Sequence, residues 1–173
     1  MYANRPRIKV PLEPIDKILE TTTTALLVAL WIYVIISYTS LPEIIPTHLN
    51  HLGEVDGTGN KTMIWFLLGI TTIITIGMHV LTKFPHIHNY MVNITEENAP
   101  HNYQMSNRLL RFVNILTLLL LAYVCYSIIQ KAYGNHFFME SALMYIIIVY
   151  AVAMPIVLIT FMLKNQKAPK SKR

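Results

Sequence analysis

Charge and thiols are scarce in this chain of 173 residues: only 13% are charged, nine are acidic, and Cys125 is the single cysteine. Soluble globular domains carry roughly 25% charged residues, so a water-exposed surface of ordinary composition is excluded. One cysteine excludes a disulfide framework and a thiolate metal cluster. No segment repeats at a fixed period, which excludes solenoids and propellers. The 14 basic residues and net charge of +5 raise nucleic acid as a partner, but they are not gathered on one face. They border apolar runs, which is a topology signal and argues against nucleic acid.

Apolar residues are what the chain has in plenty. They make up 54% of it, and the mean hydropathy is +0.44. Four runs reach the roughly 20 residues needed to cross about 30 Å of hydrocarbon: 21–41, 63–82, 109–130 and 141–163. Arg111 stands at the start of the third, where its stem can snorkel. Pro155 lies inside the fourth, where a kink is expected and a bundle tolerates it. The predicted fold is a single all-α membrane domain over 1–173, a bundle of four transmembrane helices. The segment Glu13–Glu20 places Ile15, Ile18 and Leu19 at helical spacing, with Asp16, Lys17 and Glu20 on the other side. It is expected as a short N-terminal interfacial helix, or as an amphipathic lead-in continuous with the first run. Twenty residues with acids precede the first run and no small-residue cleavage site follows it, unlike a signal peptide.

Basic residues set the expected orientation. Twelve fall in the N-terminal arm, the middle loop with its edge, and the tail; only Lys61 and Lys131 fall on the opposite side. The positive-inside rule then puts both termini in the cytoplasm and 41–62 outside. Trp31, Trp65, Tyr38, Tyr123, Tyr126 and Tyr133 supply interfacial or bundle aromatics. In the middle loop, Thr95 or Asn98 is a candidate N-cap for a helix carrying Glu96 and Glu97 in its first turn, with Pro100 tolerable near the start. The third helix is expected to begin in the cytoplasm. Asn93-Ile94-Thr95 fits a glycosylation sequon, but a cytoplasmic loop does not meet that machinery. His86, His88 and His101 in this loop read as solvated, and His79 as an interfacial residue beside Lys83.

The outer segment 41–62, LPEIIPTHLNHLGEVDGTGNKT, is the one apolar runs close in from both sides. Pro46 suits the first position of a short helix and Gly53 its stop. Ile45, Leu49 and Leu52 would share that helix's inner face, with His48 and His51 beside it and Asn50 pointing away. Asp56-Gly57 reads as a turn and Asn60 as the cap of the next helix. Lys61 opposes both the helix dipole and the positive-inside pattern, so a carboxylate partner is expected, Asp56 before Glu54. One reading is an ordered cap over the bundle, with histidines as interfacial polar groups. A metal held by His48, His51 and Asp56 and a catalytic His48–Asp56 pair are weaker readings: a fourth ligand and a nucleophile are missing. No cofactor, metal or catalytic residue is assigned.

The pattern Pro46, His48, Asn50, Gly53, Asp56 and Lys61 resembles the signature of an uncharacterised bacterial membrane domain. That domain forms the N-terminal part of SdpI-like immunity proteins, which protect bacteria from a secreted peptide toxin. ITEEN at 94–98, followed by Tyr103, resembles the cytoplasmic segment of stand-alone relatives. Leu49 departs from the motif, where an aromatic is common, and the chain is too short for the further membrane region of full SdpI-like proteins. The resemblance implies a non-enzymatic bacterial inner-membrane protein, with an immunity or envelope-stress role. Its outer loop would meet a peptide toxin, an anionic ligand or a membrane-protein partner. The alternatives are a small transporter or channel subunit, and a membrane-embedded metal-dependent enzyme. Asn114 and several Thr and Tyr residues with no buried acid are thin equipment for ion coupling.

Overall fold

The computed structural model describes residues 5–50, 54–135 and 143–169. The expected all-helical bundle is present, with a small sheet added. The elements are α1 (Pro14–Tyr38), β1 (Ile44–Leu49), β2 (Val55–Asn60), α2 (Met63–Leu81), α3 (Ala99–Ala132) and α4 (Leu143–Asn165). All four helices are long and apolar enough to cross a membrane, and this is a multi-pass membrane protein.

The chain before the first span is not a separate interfacial helix. It forms the first turns of α1, because no glycine or proline interrupts the sequence between Pro14 and Leu41. Pro14 stands in the first helical turn, and the Glu13 N–H donates to Asp16 Oδ2 at 3.0 Å, which fixes the start. Thr23 and Thr24 donate their hydroxyls to the carbonyls of Leu19 and Glu20. Their polar groups are thereby satisfied as the helix enters apolar surroundings.

α3 has 34 residues, about 51 Å at 1.5 Å per residue. That exceeds the hydrocarbon thickness by about 20 Å, so the helix extends beyond it, with its first turns packed on the N-terminal arm and the start of α1. It begins at Ala99 with Asn98 as N-cap and Pro100 in its first turn. Glu96 and Glu97 therefore precede the helix, a correction to their expected place within it. Asn98 Oδ1 accepts the Thr95 N–H, and its Nδ2 donates to the carbonyls of Asn93 and Lys167.

Leu30 and Val34 of α1, Ile64 and Leu68 of α2, and Leu118, Cys125 and Ile129 of α3 form the core, together with Leu41 and Ile45. α4 lies to the side, against α3. The Thr117 hydroxyl meets the Tyr150 hydroxyl at 2.6 Å, and the helix runs through Pro155.

At the end of the bundle away from the sheet, both ends of the described chain are tied down. Arg5 donates to the His86 and His88 carbonyls and its guanidinium lies 5.1 Å from the Tyr90 ring centre. Tyr103 Oη donates to the Pro6 carbonyl. Asn102 brackets Lys167 with two hydrogen bonds, at 3.0 and 2.9 Å. A second apolar cluster, Tyr90, Ile94, Ala99 and Tyr103, lies beneath the arm.

His88 is not simply solvated. Its Nε2–H can only donate to the Leu81 carbonyl, at 3.0 Å, which leaves Nδ1 to accept from the Ser106 hydroxyl at 2.8 Å. That arrangement uses the neutral imidazole, and burial accordingly holds its pKa below the ordinary value.

Candidate functional site

The segment expected to hold a short helix is instead an antiparallel hairpin, β1 against β2. Ile44, Ile45 and Thr47 are β-branched and favour an extended chain. Opposite them β2 supplies glycines: a Cβ on Gly57 would lie 2.9 Å from His48 Cβ, and one on Gly59 would lie 2.9 Å from Thr47 Cγ2. Only bare backbone lets the strands approach this closely. Asp56-Gly57 is thus part of a strand, a correction to its reading as a turn. The tip is closed by Asn50 and Glu54. Asn50 N–H donates to the Glu54 carbonyl, its Nδ2 to Glu54 Oε2, and its Oδ1 accepts the Glu54 N–H. Gly53, His51 and Leu52, between them, lie outside the described residues.

Pro46 is buried in β1 and pairs with Thr58, not at a helix start. The ladder is irregular on both sides of His48: partners step from Pro46↔Thr58 to His48↔Gly57 and then to Leu49↔Val55. One residue is extra on β1 at Thr47 and one on β2 at Asp56, so two opposed bulges nearly cancel. A bulge re-aims the side chain it carries, and here it brings Asp56 onto His48. Their Nδ1–Oδ1 distance is 2.5 Å, with 70% and 43% of the side chains exposed. The carboxylate fixes the proton on Nδ1 and leaves Nε2 outward, with no hydrogen bond among the described residues. The sequence brought these two residues together correctly.

Lys61 does not reach Asp56. Five residues of extended strand separate them by about 16 Å, whereas the antiparallel register sets Glu43 opposite Lys61. Nζ lies 2.9 Å from Glu43 Oε1 and 5.2 Å from the Tyr38 ring centre, and the Lys61 N–H donates to the Glu43 carbonyl. The Glu43 carboxylate raises the ammonium pKa above its ordinary value. Asn60 is not itself the N-cap of α2, which is Thr62, but its Oδ1 accepts the Thr62 N–H at 2.9 Å.

The hairpin is seated, not suspended. Ile45 is 1% exposed within the main core. Tyr38 and Trp31 of α1 both pack on Trp65 of α2, with ring centres 4.9 and 6.3 Å away. The Tyr133 hydroxyl donates to the Ser37 carbonyl at 2.7 Å, tying the end of α3 to the end of α1. The loop expected to be ordered is therefore ordered in its described part.

A second charged group lies at the opposite end of the bundle. Asp16, 1% exposed, meets Arg108 Nε at 3.1 Å and Arg111 Nη1 at 3.5 Å. Arg111 Nε donates to Glu20 Oε1 at 2.8 Å, and Arg108 Nη2 reaches Glu13 at 2.7 Å. The spans 21–41, 63–82, 109–130 and 141–163 contain no acid, but Asp16, in the turns of α1 just before the first, is a buried one. Arg111 does not snorkel outward, because acids on α1 face it. The signal was present in the sequence: residues 13, 16 and 20 share a helical face, and so do 108 and 111. His79 lies 3.9 Å from Glu20, in this group and not only at the interface.

Among the described residues no three His, Cys, Asp or Glu side chains approach closely enough to hold a metal ion. His51, one of the three weighed for such a site, lies outside them.

Residues 25–72, from within α1 through the hairpin into α2, match a protein family described as "Domain of unknown function (DUF1648)". The chain is also similar to a protein of Archaeoglobus fulgidus described as "Uncharacterized protein", 26% identical over 160 residues. The similarity covers 84% of this chain and 86% of that protein. No solved structure matches. Neither description names an immunity protein, so the likeness to SdpI-like proteins rests on the motif of the hairpin.

Proposed function

We propose that this is a non-enzymatic protein of a prokaryotic cytoplasmic membrane, with both termini in the cytoplasm and the hairpin outside, where it docks an extended peptide or a membrane-protein partner. The observation that carries this reading is a hairpin anchored through Ile45 in the core while it exposes Asp56, His48 and an edge of β2 that no other strand among the described residues covers. An unpaired strand edge recruits an extended chain through main-chain hydrogen bonds. Beside it the outward Nε2 of His48 adds a polar contact. A peptide toxin is such a partner, and an SdpI-like immunity or envelope-stress role follows from the motif. The twelve-to-two division of basic residues supports the orientation.

A photo-crosslinking residue at Thr58, exposed on β2, tests the docking surface in living cells. The expected result is a discrete adduct that weakens when His48→Ala and Asp56→Asn are introduced together. No adduct at Thr58, or one indifferent to the pair, would remove the hairpin as the contact surface.

The ion-pair group between α1 and α3 favours transport as a second reading, since ionisable residues within spans mark solute pathways. Ion or solute uptake into liposomes holding the purified protein would support it, and loss of that uptake in Asp16→Asn would tie it to this group.

A further inference from the structure

α1 and α2 touch where Trp31 packs on Trp65 and donates to the Thr72 hydroxyl at 3.1 Å. Away from the hairpin a cavity of about 270 Å³ opens between them and is backed by α3. Its size is near the lower end of ligand pockets, roughly 300–1,000 Å³. The inner wall carries Glu20, His79, Arg111 and Asn114, and the outer wall Val28 and Ile76. Val28 and Ile76 are 52% and 53% exposed on membrane helices, so the mouth faces lipid.

The inner wall is rich in acceptors. The Thr23, Thr24 and Thr75 hydroxyls spend their protons on carbonyls of their own helices, leaving only lone pairs. Asn114 is 4% exposed; its Nδ2 donates to the Thr75 carbonyl, and its Oδ1 has no hydrogen-bond partner among the described residues. Glu20 takes Arg111 on Oε1, and the described residues supply no hydrogen bond to Oε2. Glu20 is the carboxylate of the cavity lining, and the arginine beside it, Arg111, is shared with Asp16. A buried acceptor without a donor costs about 1–3 kcal/mol, and a head group with several N–H donors beside the open oxygen of Glu20 meets these acceptors together.

We propose that this cavity binds the protonated amine head of a single-chain amphiphile, an alkylammonium. The head donates to Glu20 and Asn114, and the chain leaves past Val28 and Ile76 into the bilayer. Glu20 and His79 lie near the ends of their spans, at the level where a membrane amphiphile carries its head. This site lies at the opposite end of α1 and α2 from the hairpin, and its test is independent of hairpin docking.

The test is equilibrium dialysis of the purified full-length chain in maltoside micelles against dodecylammonium, with dodecyl sulfate and dodecanol as probes of equal chain length. Saturable retention of dodecylammonium alone is expected, weakened about tenfold or more by Glu20→Gln. Thr24→Phe, at an exposed position on the cavity wall, should block it without touching the ion pairs, and decides the matter if Glu20→Gln fails to fold. Equal retention of the three probes, or retention indifferent to Thr24→Phe, would overturn the site. Displacement by ammonium chloride at matching concentration would show that the chain contributes nothing and would overturn the amphiphile assignment.

Discussion

Gly57 sits opposite His48 with no room for a side chain, and the atom in the way is His48 Cβ, which cannot swing aside. Gly57→Ala should therefore destabilise the protein by about 1–3 kcal/mol, the usual cost of overpacking. Gly77, in α2, has open space around it, so Gly77→Ala should leave stability unchanged or raise it by up to about 1 kcal/mol. Denaturation in detergent compares the two, and equal effects would contradict the close strand approach. His88 gives a pH prediction. Its folded-state pKa is depressed, so the stability it contributes is present above its unfolded value near 6.5 and is lost as pH falls through the lower folded value. The melting temperature should drop as pH falls from about 6.5, and His88→Ala should flatten that drop. At Lys61, a double-mutant cycle of Glu43→Gln with Lys61→Met should show coupling, while Asp56→Asn with Lys61→Met should be additive.

The elements show which parts of this architecture can be read from residues alone. The four spans were legible because apolar runs of spanning length with almost no charge allow little else. The hairpin was not. Pro46 suits a helix start and also a bulged strand, and the spacing of Ile45, Leu49 and Leu52 fits a helical face. What decided the outcome was tertiary: Ile45 enters the core, and Gly57 and Gly59 admit the opposite strand. The His48–Asp56 pair was legible as a pairing of residue types, although the bulges that create it were not. The Lys61 partner was misjudged because it depends on strand register, which a wrong helix had erased. Between α1 and α3 the acids and arginines were spaced to share faces, but helix adjacency was needed to pair them. Asp16→Leu should leave Arg111 with Glu20 alone and Arg108 with Glu13 alone, and cost roughly 1–3 kcal/mol. Adding Glu20→Gln, which removes the other carboxylate of Arg111, should cost more than Asp16→Leu alone, as read from thermal unfolding in detergent.

At the scale of the whole molecule, the two ends of the bundle are built differently. One carries a small hairpin with an exposed acid–histidine pair and aromatics around its base. The other folds the N-terminal arm, the middle loop and residues 165–167 into a polar platform that holds most of the basic residues. Docking at the hairpin requires that end to face outward. Thiol labelling of intact cells measures this directly, and Cys125, fully buried, should give little background. Thr58→Cys should react with a membrane-impermeant maleimide from outside, and Asn89→Cys only after the cells are opened. Labelling of Asn89→Cys but not Thr58→Cys in intact cells would contradict the orientation and, with it, an outward docking surface.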